Sequence, residues 1–453
     1  MLPLEVRGTR VLDPSGREVL LRGVNAGGRS KTPPFLPFAY RESGFPSHAS
    51  APPIADAMNT YVERVASWGL NVVRLPVTWE ALEPVRGQYD LEFLERYVAL
   101  VEAFGARGIS VIIDIHQDVF SRVYCGDGFP LWALDGEIPE VPTEGCEQWF
   151  NGYTSDPVVQ GAFDRFWADE DGLRGAFNAV WRMLAGRLRD VSGVVAFEIL
   201  NEPGWGTRPQ AEFLREVLTP FYSELIVTIR EVAPNTPILF DATGSDAVVA
   251  ETALELPAGE GLIFAPHYYD PTVILLGKWT IRDTDYRQVI GKWRAKGDAW
   301  GLPVLLGEFG IRSTADGAQE YLARNLDALD ANRMHGTVWE YSDAPEDWNH
   351  EGMSVVTGGQ ETALVGAMVR PFPAVVSGEQ VSFEFDADTG RAVLVFDAQP
   401  GVTEVSAPSR VYPKGPTITV LEDAAACTHY DAAAQRALVR TAEPGRLTLV
   451  LER

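Results

Sequence analysis

Eight short apolar segments recur along the first three quarters of the chain, each separated from the next by a longer segment. Each is a continuous apolar run instead of an alternation of apolar and polar residues, which is typical of parallel strands buried on both faces. The eight predicted strands cover residues 20–25, 71–75, 110–115, 194–200, 237–240, 262–266, 303–307 and 336–341.

The segments between these strands carry apolar residues at helical spacing. One stripe runs from Leu94 to Phe104 and another from Phe177 to Leu188. Eight strand-helix units predict an α/β fold, specifically a (β/α)8 TIM barrel. A doubly wound sheet is the alternative, but it would usually show a glycine-rich turn after its first strand, and this sequence has none there.

The pattern changes at Arg370-Pro371-Phe372-Pro373. Beyond this junction Val381, Phe383 and Phe385 alternate with polar residues, and similar strand-like runs follow. Alternation predicts a small C-terminal antiparallel β-sandwich. We therefore expect a catalytic barrel over residues 1–369 and a sandwich domain over residues 370–453.

The chain has 453 residues and a net charge of -25. Such an acidic chain repels polyphosphates, so we expect no nucleic-acid partner, and it disfavours electrostatic docking on anionic membranes. No apolar run has the length of a membrane span. We expect no stable membrane insertion, and at most transient contact with a lipid surface. No secretory signal is recognisable at Met1.

Three cysteines are too few for a disulfide scaffold. Cys125 and Cys146 lie in one stretch rich in glycine and proline, whereas Cys427 lies in the predicted sandwich. Sequence spacing does not fix the separation of two Cα atoms, so the pairing of Cys125 with Cys146 stays open.

Two connections are unusually long, residues 26–54 and residues 117–170. Both follow the carboxyl ends of predicted strands, the face on which barrel enzymes build their active sites. The first is rich in proline and aromatic residues. We predict that Phe35, Leu36 and Phe38 hold a lipid chain there; the alternative is that they only cap the barrel.

Polar residues follow the carboxyl ends of most predicted strands, where a barrel would bring them together. These residues are Arg74, His116, Gln117, Asp118, Asn201, Glu202, His267, Tyr268, Tyr269, Glu308, Trp339 and Glu340.

Two of these carboxylates, Glu202 and Glu308, immediately follow buried strands and stand beside proline or glycine. Paired carboxylates across a sugar are what glycoside hydrolysis requires. Arg74 is expected to pair with the nucleophile, because a guanidinium binds carboxylates strongly.

The other candidates have less specific chemistry. His116 and His267 are expected in the site, and the indole of Trp339 presents a face suited to stacking on a sugar ring. His116 with Asp118 resembles half of a metal site, but no third ligand stands out. We predict neither a metal nor a cofactor.

The ordered set resembles glycoside hydrolase family 5. The resemblance rests on Asn201-Glu202-Pro203 and Gly307-Glu308-Phe309-Gly310, together with Arg74, His267-Tyr268-Tyr269 and Trp339. Within the family, the segments from His116 to Ser121, Gly128-Phe129-Pro130 and Arg370-Pro371-Phe372-Pro373 look like the endoglycoceramidase group and its glucosylceramidase-like relatives.

This resemblance implies retention of configuration through a covalent glycosyl-enzyme. It implies that Glu202 is the acid/base and Glu308 the nucleophile. By the same resemblance Asn201 binds the sugar 2-hydroxyl and Tyr269 orients Glu308, while Lys31 and Asp118 match sugar-binding positions.

The sequence as a whole predicts a retaining β-glycosidase that cuts a glucose- or galactose-headed glycan from a lipid aglycone such as ceramide. A polysaccharide hydrolase of endo-β-glucanase or mannanase type is one alternative, and a non-catalytic glycan- or lipid-binding protein is another. Relatives in this family are often secreted, which favours a secreted protein.

Overall fold

The computed structural model describes residues 4–41, 50–142, 145–146, 148–342, 351–422 and 426–453. Its strands, in chain order, are β1 Glu5–Arg7, β2 Arg10–Leu12, β3 Glu18–Val19, β4 Arg22–Asn25, β5 Val72–Thr78, β6 Ser110–His116, β7 Val194–Glu198, β8 Ile238–Phe240, β9 Leu262–Phe264, β10 Leu305–Leu306, β11 His335–Val338, β12 Val356–Thr357, β13 Gln360–Glu361, β14 Phe372–Val376, β15 Gly378–Asp386, β16 Arg391–Ala398, β17 Gly401–Ser406, β18 Thr417–Val420, β19 Cys427–Asp431, β20 Arg436–Thr441 and β21 Gly445–Glu452.

The α-helices are α1 Ile54–Ser67, α2 Trp79–Leu82, α3 Leu91–Ala106, α4 Gly152–Ser155, α5 Pro157–Trp167, α6 Leu173–Leu188, α7 Gln210–Phe213, α8 Thr219–Val232, α9 Gly244–Val249, α10 Pro271–Leu276, α11 Tyr286–Trp300, α12 Ala318–Asn332 and α13 Leu364–Met368. A π-helical turn, Leu214–Leu218, joins α7 to α8.

Eight parallel strands form one sheet in the order β10-β11-β4-β5-β6-β7-β8-β9. A parallel bridge between Phe264 and Val304 brings its two edges together. The amide of Phe264 donates to the carbonyl of Pro303 at 3.1 Å, and that of Tyr268 donates to Glu308 at 3.0 Å. The sheet is therefore a barrel, and the predicted fold class is confirmed.

The predicted helical stripes are the buried faces of α3 and α6. Helix α3 begins where the side chain of Asp90 accepts a hydrogen bond from the amide of Phe93, which satisfies a donor of the first turn. Leu94 and Phe104 then face the barrel, because residues three and four positions apart lie on one side of a helix.

Antiparallel strands beyond Arg370 form the predicted sandwich. One sheet has the order β15-β16-β21-β18, and the other contains β14, β17, β20 and β19. Phe383, Phe396 and Val439 are among the buried side chains of its core.

The first three strands depart from the predicted division at residue 370. Strand β3 pairs with β14, so β1, β2 and β3 extend a sheet of the C-terminal sandwich. Val11 and Val19 pack against Val72 and Ile112 at the amino end of the barrel. The apolar end of the barrel needs a cover, and these three strands, which fall within the predicted range of 1–369, supply it.

The loop of residues 26–54 does not place its apolar residues where we predicted. Leu36 and Phe38 are fully buried in the main core. The ring of Phe38 lies 5.5 Å from that of Tyr61, and the ring of Phe35 lies 6.1 Å from that of Phe93. These residues cap the barrel, and their predicted role in holding lipid is wrong; residues 42–49 of the loop lie outside the described part of the chain.

The second long connection is closed by a disulfide between Cys125 and Cys146, whose Cα atoms lie 5.3 Å apart. The bond joins the turn that follows β6 to the segment that enters α4. Among the described helices, none is long and apolar enough to span a membrane.

Candidate active site

Arg74 of β5 lies fully buried at the centre of the carboxyl end of the barrel. Its Nε and Nη2 atoms donate to the carboxylate of Glu198 at 2.7 and 3.0 Å. Nη1 donates to Oε1 of Glu308 at 2.7 Å, and Nη2 donates to Oδ1 of Asn201 at 2.9 Å. One guanidinium thus connects strands β5 and β7 with the residue that follows β10.

Glu308 is held at both carboxylate oxygens. Arg74 contacts Oε1, and the hydroxyl of Tyr269 donates to Oε2 at 2.9 Å. Burial alone would raise the pKa of Glu308, but the positive charges of His267 and Arg74 outweigh burial and hold it below its usual range. Glu308 is therefore an ionised, oriented carboxylate at neutral pH.

Glu202 follows β7 with a φ of 37°, a left-handed conformation that non-glycine residues rarely adopt. Its amide donates to Oδ2 of Asp241 at 3.2 Å. A side chain at Gly244 would displace the carboxylate of Glu202, because its Cβ would lie 2.4 Å from Oε2 of Glu202. The turn and the glycine together direct the Glu202 carboxylate into the barrel mouth.

The two carboxylates lie close together. Nδ1 of His267 is 2.7 Å from Oε1 of Glu202 and 3.6 Å from Oε2 of Glu308. One oxygen of each carboxylate and a ring nitrogen of His267 all lie within 4.8 Å of one another. Retaining glycosidases have their carboxyl groups about 5 Å apart, whereas inverting enzymes need room for a water molecule between them.

His267 carries a positive charge between these groups. Burial by itself lowers the pKa of the imidazole, but Asp241, Glu308 and Glu202 raise it to about 10. The Nδ1–H can then donate to Glu202, while Nε2 lies 3.4 Å from Asp241.

A second charged group lies beside this pair. Lys31 places Nζ 2.6 Å from Oδ2 of Asp118 and 4.3 Å from the ring centroid of Trp339. His116 contacts Asp114 through Nδ1 at 2.6 Å and lies 3.4 Å from Asp118 through Nε2. Burial and Lys31 lower the pKa of His116, but Asp114 and Asp118 raise it to about 9.

Within the part of the chain that the structure describes, two sets of side chains have metal-ligand spacing: His116, Asp118 and Asp127, and then Glu202, His267 and Glu308. In the first set Nζ of Lys31 lies 2.6 Å from Asp118 and 4.0 Å from Asp127. In the second set the protonated His267 supplies the positive charge. A side-chain cation already compensates each cluster, so both sets suit a metal ion poorly.

A cavity of about 270 Å³ opens over these groups, and its lining changes character from one side to the other. Its polar lining includes Lys31, Asp118, Glu202, Tyr269, Glu308 and Glu351, with Trp339 beside them. Its apolar lining includes Trp149, Phe150, Trp205, Val248, Ile274, Leu275 and Met353.

The structure brings ten of the predicted residues together in two connected groups. Lys31, His116, Asp118 and Trp339 form one connected group. Arg74, Asn201, Glu202, His267, Tyr269 and Glu308 form the other.

Several further residues were missed at the sequence level. Asp241 directly follows the fifth predicted strand, so the rule that found Glu202 and Glu308 would have found it too. Asp114 and Glu198 interrupt apolar strands, and both are fully buried against Arg74. Glu351 accepts a hydrogen bond from the indole of Trp339 at 2.8 Å, and nothing in its loop sequence marked it.

Comparison with known proteins gives a family that agrees with this pair of carboxylates on a barrel. The family model described as cellulase (glycosyl hydrolase family 5) matches residues 32–345. The chain belongs to glycosyl hydrolase family 5. The family 5 C-terminal domain matches residues 370–450. The predicted family and the prediction of a glycoside hydrolase are confirmed.

Endoglycoceramidases are among the proteins to which this chain is similar. Endoglycoceramidase I of Rhodococcus hoagii is 28% identical over 439 residues, which cover 92% of this chain and 82% of that protein. Endoglycoceramidase of Cyanea nozakii is 25% identical and covers 72% of this chain and 70% of its own. The structure of endo-glycoceramidase II from Rhodococcus sp. superposes with a TM-score of 0.76 at 26% identity, covering 97% of this chain and 98% of that one.

Proposed function

We propose that this family 5 enzyme is a retaining β-glycosidase that releases a glucose- or galactose-headed glycan from a lipid aglycone of the ceramide type. The proposal rests chiefly on the cavity, in which a charged side with two close carboxylates adjoins an apolar side. A glycolipid has the same division between a polar sugar and an apolar chain.

Glu308 is assigned as the nucleophile. Its ionised carboxylate attacks the anomeric carbon and forms a glycosyl ester, while the bond to the aglycone oxygen breaks. Arg74 and Tyr269 each hold one oxygen of the carboxylate, which fixes its orientation before attack.

Glu202 is assigned as the acid/base. Its carboxylic acid gives a proton to the departing aglycone oxygen, and the resulting carboxylate later removes a proton from the water that cleaves the ester. His267, at 2.7 Å, donates to the Glu202 carboxylate and compensates its charge in that second step.

Asn201 is assigned to the 2-hydroxyl of the bound sugar. Its amide is held on both sides, since Oδ1 accepts from Arg74 at 2.9 Å and Nδ2 donates to the carbonyl of Gln117 at 3.1 Å. Lys31 and Asp118, together with the face of Trp339, are assigned to the sugar as well.

The aliphatic part of the cavity supports a lipid aglycone over a polysaccharide. Val248, Ile274, Leu275 and Met353 offer no flat face, whereas sugar rings are commonly bound by stacking on aromatic faces. The names of similar proteins agree: besides the endoglycoceramidases, a glucosylceramidase of Cryptococcus neoformans is 29% identical over 44% of this chain.

A panel of substrates tests this function. It should compare glucosylceramide, lactosylceramide, a ganglioside, a steryl glucoside and a β-glucan, with the products identified by mass. We expect an intact glycan and a free lipid from at least one ceramide substrate. Faster cleavage of the β-glucan than of every glycolipid would establish the polysaccharide alternative instead.

Covalent labelling tests the assignment of the nucleophile. A 2-fluoro glycoside with a good leaving group should accumulate as a stable ester, because the fluorine slows its hydrolysis. Peptide mapping should place that ester on Glu308. A label on another residue would overturn the assignment.

A further inference from the structure

Exposed aliphatic side chains lie at one edge of the active-site cavity, on helices α9 and α10. Val249 ends α9 with 55% of its surface exposed. Leu275 and Leu276 end α10 with 60% and 62% exposed. We call these three residues the apolar rim. The two helices contact each other, and each contributes side chains to the lining of the same cavity.

The fold itself turns the leucines outward. Helix α10 is short: Asp270 caps it by accepting from the amide of Thr272, and Gly277 ends it with a φ of 62°. Thr272 and Val273 are the buried residues of this helix. The last turn therefore presents its two leucines to solvent, where exposed apolar surface is unfavourable unless something covers it.

The rim continues the lining of the cavity. Val248, Ile274 and Leu275 line the cavity, and Val249 and Leu276 follow directly in the chain. Leu275 therefore faces the cavity and the exterior at once.

A second segment of the chain also gives the cavity apolar lining. Trp149 and Phe150 line the cavity and are half-buried, and the disulfide between Cys125 and Cys146 anchors their segment. Two separate segments of the chain thus supply apolar side chains to the cavity.

We propose that the apolar rim docks on the surface of the lipid bilayer that carries the glycolipid substrate. This inference rests on the proposed function, since it names where that substrate is taken up. With the rim in contact with the bilayer, the lipid passes along Leu275 and Ile274 into the cavity without crossing water, and its sugar reaches Glu308.

The charge of the protein determines which bilayer fits. A net charge of -25 repels anionic lipids, so apolar contact must supply the attraction. Docking is therefore expected on zwitterionic phosphatidylcholine, with little dependence on salt.

The experiment measures sedimentation of the enzyme with phosphatidylcholine vesicles that contain no glycolipid. The rim variant is the double substitution Val249→Ser, Leu276→Ser, since neither residue lines the cavity. The matched control is Val227→Ser, Leu421→Ser, which changes a valine and a leucine that are each 62% exposed elsewhere. We expect the rim variant to lose about tenfold or more in vesicle partition and the control to lose less than about twofold.

Catalytic measurements separate docking from chemistry. The rim variant should cleave a soluble aryl β-glycoside and a monomeric short-chain glycolipid at the wild-type kcat/KM. Its turnover of glycolipid embedded in vesicles should fall by about the same factor as its partition.

Each other outcome has a defined meaning. Equal partition of the rim and control variants, or a wild type that does not sediment with vesicles, would overturn the docking proposal. Tighter binding to phosphatidylserine vesicles that salt abolishes would contradict it also, because it would mark an electrostatic surface. Failure of the wild type to cleave the monomeric glycolipid would count against the proposed function alone, since sedimentation needs no hydrolysis.

Discussion

The amino and carboxyl ends of the barrel are filled by opposite kinds of side chain. At the amino end Val11 of the N-terminal hairpin packs with Val72 and Ile112. At the carboxyl end Arg74 and Glu308 belong to a buried network of charges. Strand β5 begins with Val72 at the amino end, and Arg74, two residues further along, reaches the charged network. We therefore expect substitutions at the amino end to change stability and substitutions at the carboxyl end to change catalysis.

Two buried histidines make the comparison quantitative. His335 begins β11 at the amino end, where its Nδ1 accepts from the amide of Leu21 at 3.0 Å. Burial and the nearby charges of Arg22 and Arg294 lower its pKa to about 3. At the carboxyl end carboxylates raise the pKa of His267 to about 10 against the same burial. Burial favours the neutral form of both histidines, so the carboxylates around His267 account for the difference between their protonation states.

The largest effect we predict at the carboxyl end is that of Glu202→Ala. Acid assistance matters greatly for an alkyl leaving group such as ceramide and little for an activated phenol. We expect glycolipid hydrolysis to fall by about 10² to 10⁴-fold, with a much smaller loss of the first, glycosylation step on an activated aryl glycoside. Steady-state and burst kinetics on both substrates measure this.

Azide provides the control for Glu202→Ala. A small anion can attack the glycosyl-enzyme without a general base, so added azide should restore turnover of the aryl substrate and give a β-glycosyl azide. Equal losses on both substrates, with no azide rescue, would assign Glu202 another role.

Gly244→Ala tests whether chemistry at this end can fail without loss of stability. Its Cβ would meet Oε2 of Glu202 at 2.4 Å, and the carboxylate can rotate away at little cost to folding. We expect kcat/KM for glycolipid to fall by about 100-fold, because a small displacement of a reacting group is costly. The urea midpoint should stay near that of the wild type. A fall in stability without a fall in activity would show that Gly244 serves packing alone.

The amino-acid sequence predicts the barrel and its active end for one shared reason. Buried parallel strands must be continuously apolar, so a polar residue at the end of such a run, as at Glu202 and Glu308, stands out. That signal identifies the carboxylate pair from the sequence alone. Asp241, directly after the fifth strand, carries the same signal.

Other features of the fold and the site could not be predicted from the sequence, because they depend on contacts between distant parts of the chain. The pairing of β3 with β14 joins residues more than 350 positions apart, and two-residue strands leave little pattern. An aromatic residue such as Phe38 in a loop looks the same in the sequence whether it caps a barrel or holds a lipid. Only its packing against Tyr61 shows that it caps the barrel. Glu351 reaches the site from a loop with no periodicity at all.

Val11→Ala should lower stability and leave activity unchanged, the reverse of Gly244→Ala. The side chain of Val11 is fully buried between the hairpin and the barrel. Removing two methyl groups there should lower the free energy of unfolding by about 2 kcal/mol, from lost apolar burial plus a small cavity. The kcat/KM for an aryl glycoside should not change.

Val227→Ala is the matched control for Val11→Ala, because Val227 is 62% exposed and should cost under about 0.5 kcal/mol. Urea unfolding measures both variants. A loss of activity in Val11→Ala at a temperature where it is fully folded would mean that the two ends of the barrel are coupled.

The remaining comparison concerns how stability depends on pH, and the two ends should act in opposite directions. For His267 and His116 the folded pKa values, about 10 and about 9, lie above the ordinary value near 6.5. Between those values the native state binds more protons than the unfolded state, so their contribution is complete below pH 6.5 and is lost as pH rises through 9 and 10. For His335 the folded pKa of about 3 is depressed, so the unfolded state binds the extra proton between pH 6.5 and pH 3, and stability falls as pH falls.

His335→Gln isolates the contribution of the amino end. Glutamine keeps an acceptor for the amide of Leu21 but cannot be protonated. Unfolding of the variant in acid therefore takes up one proton fewer than unfolding of the wild type. Between pH 6 and pH 4 its free energy of unfolding should fall less steeply than that of the wild type, by up to about 1.4 kcal/mol per pH unit. Above pH 7 the two profiles should run parallel, because His116 and His267 are unchanged. Urea unfolding at unit pH intervals measures both limbs, and a variant that alters the alkaline limb would show that the charges at the two ends are not independent.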